Sequence, residues 1–235
     1  LVPAEFIPLA ESTGLIVPLG AAMLNRAIAD VKAWSGPSGP VALHVNLSVH
    51  QIRAPGLLAL VKKALRSSAF DASRLVLEIT ESTLAGTDEI AVLRALKRLG
   101  VRLAIDDFGT GFSSLGYLRR LPIDMIKIDR SFVSELGVDG RDAELVRGVI
   151  QFAHGLKLDV VAEGIENDRQ RGCLMTLGCA SGQGYLFSKP LPEKEMRILI
   201  AKGSAAASTG IGRSKLASIN RHSTGAARAA PMRPA

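Results

Sequence analysis

Asn46, Glu78, Asp106, Lys127, Glu163 and Gln183 follow one another at intervals of 32, 28, 21, 36 and 20 residues, and Asp107 doubles the third position. Each interval is about the length of one β/α unit. The set contains carboxylates, two amides and one ammonium, with no His or Cys. Hard oxygen donors of this kind suit Mg²⁺, Mn²⁺ or Ca²⁺ rather than zinc. Four acids exceed what one Mg²⁺ takes from protein. Adjacent Asp106 and Asp107 repel each other unless cations lie between them. Two ions about 3.5–4 Å apart are the usual solution, and a phosphoester is their usual substrate. Lys127 adds a positive charge able to hold a hydroxide or a phosphoryl oxygen.

Taken singly, these residues say little. A lone acid at a strand end is most often a helix cap, Lys127 a salt-bridge partner and Asn46 a turn former. Their common placement carries the signal. The apolar runs are VALHVNLS (41–48), RLVLEIT (74–80), VRLAIDD (101–107), MIKID (125–129), DVVAEGI (159–165) and GYLF (184–187). The polar groups lie near the ends of the first five, and Gln183 opens the sixth. Near-continuous runs rich in Val, Ile and Leu read as parallel strands buried on both faces. Amphipathic stretches lie between them. One is Ile90 to Leu99, with Ile90, Leu93, Leu96 and Leu99 on one face; another is Ala143 to Leu156, apolar at Leu145, Val146, Val149, Ile150 and Ala153. The alternation predicts an α/β fold with a parallel sheet. In an open doubly wound sheet the strand ends would be strung along an edge. In a TIM-type barrel they converge on one mouth, so the (β/α)8 barrel accounts better for the polar series.

The stretch DDFGTGFSSLGYL (106–118) reads as a mobile Gly-rich element over that mouth, with Ser113 and Ser114 suited to cap the helix after it. Cys173 and Cys179 are six apart without a His pair, which excludes a zinc site and fits thiols in a reducing cytoplasm. The net charge of +7 does not signal nucleic-acid binding. Beyond Ser204 the chain carries Arg213, Lys215, Arg221, Arg228 and Arg233 and no acid, so most of the excess lies in the tail. Residues 204–235 are expected to be a disordered basic tail and residues 1–203 the folded domain. The apolar stretch from Leu15 to Leu24 is too short to span a bilayer.

The motifs VNLS (45–48), LEITES (77–82), DDFGTGFSSLGYL (106–118), IKIDRSF (126–132), VAEGIE (161–166) and QGYLFSKPLP (183–192), with the opening PAEFIPLAESTGLI (3–16), resemble the bacterial EAL domain. The likeness runs in order from Leu1 to about Gly203. It implies hydrolysis of cyclic di-GMP to linear pGpG with two Mg²⁺ or Mn²⁺ ions, and inhibition by Ca²⁺. By the resemblance, Asn46, Glu78 and Asp106 bind one ion; Asp106 and Asp107 bind the second, supported by Glu163. Lys127 orients the attacking water, Glu81 anchors the Gly-rich loop, and Glu166 and Gln183 complete the pocket rim. The 106–118 loop and its following helix imply a homodimer. The family implies a cytoplasmic domain behind an upstream sensor or cyclase module, with any membrane anchor upstream.

Two departures from the family pattern stand out. Its signature Glu-Ala-Leu, and the Arg just after it, do not occur in the sequence, so they and the first two barrel strands are expected to precede Leu1. Residues 1–235 alone are therefore expected to be inactive. Ala180 stands where the family usually has Asp. A receptor that binds cyclic di-GMP without cleaving it is the alternative reading. Degenerate receptors lose several metal ligands, whereas every visible one is kept here. An enolase-like proton-abstracting barrel fits Asn46 and the DDFGTG run poorly.

Overall fold

Strand Leu75–Thr80 has Leu75, Val76, Leu77 and Ile79 all at 1% exposure or less, so both its faces are covered. That is the setting in which a parallel strand is built from consecutive apolar residues rather than alternating ones. The computed structural model describes residues 2–36, 39–81, 87–110, 115–137 and 140–202.

After helices α1 (Pro3–Ser12) and α2 (Ile16–Val31), a two-residue antiparallel pairing joins β1 (Ser35–Gly36) and β2 (Gly39–Pro40). The main sheet has six parallel strands: β3 (Leu43–Asn46), β4 (Leu75–Thr80), β5 (Arg102–Phe108), β6 (Met125–Ile128), β7 (Asp159–Ala162) and β8 (Ser181–Gly182). Their spatial order is their chain order, without a reversal. A doubly wound sheet must reverse at a switch point. Sequential order with helical crossovers is the arrangement of a (β/α)8 barrel, and these strands curl into part of one. The connecting helices are α3 (Val49–Arg53), α4 (Leu57–Ser68), α5 (Thr87–Lys97), α6 (Leu115–Leu118), α7 (Arg130–Ser134), α8 (Gly140–Gly155), α9 (Asp168–Thr176) and α10 (Glu193–Lys202). Among the described residues, no helix is long and apolar enough to cross a membrane.

The predicted helical faces pack as expected, with one exception. On α5, Leu93 and Leu96 are fully buried and Ile90 nearly so; on α8, Val146, Ile150 and Ala153 are buried. Leu145, assigned to the same apolar face, is 56% exposed. It directly precedes Val146, so the helical turn of about 100° per residue carries it away from the core. Cys179 is buried and Cys173 half-buried, both as free thiols.

The sixth strand is not GYLF (184–187). It is the two residues before Gln183, and the following residues form a turn. Gly184 explains the break. Its α-carbon lies so close to β7's continuation that a Cβ there would sit 2.2 Å from the backbone N and O of Ile165. The ladder closes with the Gln183 N–H donating to the Ala162 carbonyl at 2.8 Å, after which the chain turns back toward Ile165. Gln183 therefore lies past the C-terminal end of β8, where the mouth is, rather than at the start of a strand. Residues 111–114, including Ser113 and Ser114, and the tail 204–235 lie outside the described residues.

Two layers of side chains follow the period of two along the strands. Val76, Ala104 and Met125 form a small buried cluster with Val161 packed against it, one residue from each of β4 to β7. Two positions further along the same strands stand Glu78, Asp106, Lys127 and, just past β7, Glu163. The sheet thus sets a polar layer directly above an apolar one. The larger core lies between sheet and helices.

Candidate active site

Lys127 is the centre of the polar layer. It is 3% exposed, and its Nζ donates to Glu78 Oε2 at 2.9 Å and to Asp106 Oδ1 at 2.8 Å. It also forms an ion pair with Glu163 Oε1. The Gln183 amide donates to that same oxygen at 2.9 Å. Four consecutive strands and the residue after β8 therefore meet at one point, as the sequence intervals require.

Asp107 reaches the cluster by a different route. In a regular strand it would face away from Asp106. The β5–β6 register shifts between Ile105 and Phe108, and Asp107 has a φ of 52°. This bulge with a left-handed residue breaks the alternation and brings both aspartates to the mouth. Oxygens of Asp106, Asp107 and Glu163 lie within 4.8 Å of one another, close enough to share a cation.

The charges are unbalanced. Burial pushes the Asp107 carboxyl up, and the neighbouring charges of Asp106 and Asp129 add to this. Burial also raises Glu163, whose carboxyl is further disfavoured as an anion by Asp106 and Glu78, against the pull of Lys127. Burial opposes the charged form of Lys127, but Glu78, Asp106 and Glu163 outweigh it and hold the ammonium protonated. Burial would raise Glu78, yet hydrogen bonds from His44 and Lys127 keep it below the usual carboxylate range. Two carboxyls pushed up beside one saturated ammonium mark a site short of positive charge. Its all-oxygen donor set suits divalent cations.

The remaining predicted residues lie around this centre. Glu81 is buried, and its Oε2 accepts the Gly109 N–H at 3.1 Å, at the start of the Gly-rich loop. Gly109 has a φ of +101°, and a Cβ there would meet the Phe132 ring at 2.6 Å. Asn46 ends β3 in register with Glu78 and is exposed. Glu166 is exposed three residues beyond Glu163, and its N–H donates to Gln170 Oε1 at 2.8 Å, in the turn that caps α9. Neither joins the Lys127 cluster directly.

A sequence profile of the EAL domain matches residues 1–190. The chain belongs to the EAL domain family. This EAL domain is 41% identical over 204 residues to the bifunctional diguanylate cyclase/cyclic di-GMP phosphodiesterase MucR of Pseudomonas aeruginosa, covering 86% of the chain and 30% of MucR. It thus spans less than a third of that relative's length. The structure of the MucR phosphodiesterase in complex with c-di-GMP matches with a TM-score of 0.78 at 41% identity, covering 83% of this chain and 81% of that one. The EAL domain of Mycobacterium smegmatis DcpA matches with a TM-score of 0.75 at 39% identity, covering 79% and 85%.

Two residues of this EAL domain outside the polar series, His44 and Phe132, also touch the site. His44 Nδ1 lies 2.7 Å from Glu78 Oε1. The period of two that places Asn46 at the mouth also puts His44 on the same face, and that was the signal available. Phe132 lies in the IKIDRSF motif, but only the fold brings it over Gly109.

Proposed function

We propose that this EAL domain hydrolyses cyclic di-GMP to linear pGpG as a metal-dependent phosphodiesterase. The observation that carries the reading is the convergence of Glu78, Asp106 and Glu163 on the buried Lys127, with Asp107 beside them. Four acids against one fixed ammonium favour the uptake of Mg²⁺ or Mn²⁺. We assign Asn46, Glu78 and Asp106 to one ion, and Asp106 and Asp107 to a second supported by Glu163. When bound, such a pair supplies an activated water and stabilises charge on phosphoryl oxygens. Ca²⁺ would inhibit, because its looser coordination would hold the water less well.

The protein's own groups do the rest. Lys127 keeps its proton, and once cations take over its carboxylate partners one of the N–H groups they held would turn to the oxygen of the attacking water. Gln183 holds the Glu163 carboxylate in place and, with Glu166, lines the pocket rim. Glu81 ties the loop backbone at Gly109 to the mouth. The 106–118 loop and α6 form the interface of a homodimer. A sensor or cyclase module in the same polypeptide supplies the input, a diguanylate cyclase being named beside the phosphodiesterase in MucR, and the domain acts in the cytoplasm. The retained acids favour turnover over a receptor that only binds.

The test is product analysis with the full polypeptide that carries this domain, incubated with cyclic di-GMP and Mn²⁺. Release of pGpG that stops on chelation supports the proposal. Tight binding without product favours the receptor.

A further inference from the structure

We infer that His44 is a positioning residue that fixes the Glu78 carboxylate for cation binding. The inference rests on the metal reading above and deepens it. On β4 to β7, the inward positions below the polar layer are Val76, Ala104, Met125 and Val161. The matching position on β3, two residues before Asn46, is His44. A polar ring replaces the aliphatic side chain at this level, and it has one clear partner. Its Nδ1 lies 2.7 Å from Glu78 Oε1, while Glu78 Oε2 accepts from Lys127 at 2.9 Å.

The two hydrogen bonds divide the work of the carboxylate. Glu78 is 5% exposed, and a carboxylate that far from water needs partners on both oxygens. With the proton on Nδ1, His44 donates to Oε1 and fixes the plane of the group. Oε2 then faces the point where Lys127 and Asp106 converge. His44 thus makes Glu78 a donor through Oε2 alone. Partners that hold a ligating group in this way typically change metal affinity by about 10–100-fold when removed.

The ring's side chain is 36% exposed, so replacing it opens no sealed cavity. The pair His44→Ala and His44→Asn separates positioning from bulk, because the Asn amide reaches the place of Nδ1–H. The full polypeptide is titrated with Mn²⁺ by electron paramagnetic resonance of the free ion, and metal-free melting temperatures are recorded alongside. Positioning predicts that His44→Ala weakens Mn²⁺ binding by about tenfold, that His44→Asn stays within about threefold of wild type, and that the melting temperatures agree. Equal binding by wild type and His44→Ala overturns the role of His44 and leaves the metal reading standing. Equal losses in both variants also overturn it. Wild-type protein that holds no Mn²⁺ overturns the metal reading and this inference together.

Discussion

The Lys127 ammonium lies 2.8 Å from Asp106 on the neighbouring strand, and both side chains are buried. Without ions, Lys127 is the fixed charge that balances Glu78, Asp106 and Glu163. Lys127→Met keeps the bulk and removes the charge. It should destabilise the metal-free protein by about 3–5 kcal/mol, the cost of leaving buried charge unpaired. Added Mg²⁺ should recover a large part of the loss. Urea denaturation with and without Mg²⁺ measures both, and an unchanged midpoint would contradict the balance described.

The loop backbone is tightly seated at Gly109 between Glu81 and Phe132. Gly109→Ala adds a Cβ that meets the Phe132 ring at 2.6 Å, in a backbone of φ +101°. We expect a loss of about 1–3 kcal/mol. The double variant Gly109→Ala with Phe132→Ala should lose less than the sum of the two singles, since the ring contact is gone. Strict additivity in thermal denaturation would show that the ring is not what excludes the side chain.

The raised carboxyls of Asp107 and Glu163 give stability a pH dependence with a definite sign. A carboxyl with a folded-state pKa above its unfolded value contributes stability that is fully present below the unfolded pKa. That contribution is lost as the pH rises through the folded pKa. Metal-free protein should therefore lose these contributions from the acid side toward neutrality, where bound Mg²⁺ offsets the repulsion. The gap in melting temperature with and without Mg²⁺ should widen as the pH rises from the ordinary carboxylate range toward neutrality. A constant gap would contradict the assignment of these acids to the ions.

The basic tail should be dispensable. Ser204–Ala235 is rich in Ala, Ser, Gly and Arg and lacks the apolar content to build a core. Its deletion should leave melting temperature and turnover unchanged. A fall of several degrees would show that it docks on the barrel.

Much of this site is legible in the sequence because a parallel strand buried on both faces announces itself, and polar residues at its C-terminal end interrupt it. Glu78, Asp106, Lys127 and Glu163 stand out that way. The strand β8 does not, because Ser181–Gly182 has no apolar run, and the apolar GYLF beside it is a turn set by the close approach of Gly184 to Ile165. Asp107 was expected at the mouth, but strand alternation alone would send it to the other face. The bulge that redirects it depends on the register with β6. The period of two places His44 on the face of Asn46, but only the fold sets it against Glu78 and so gives that placement a role.

The measurement that bears most directly on the account is cyclic di-GMP turnover by the full polypeptide and its Asp106→Ala variant, with Mn²⁺ and with chelator, followed by chromatography of the products. Asp106 is the acid assigned to both ions, so its loss should abolish release of pGpG, while Glu166→Ala at the rim should be milder. The account predicts turnover by wild type with Mn²⁺, none with chelator, and none by Asp106→Ala. An Asp106→Ala variant that keeps more than about a tenth of the wild-type rate, a barrier change under ~1.4 kcal/mol, would contradict it.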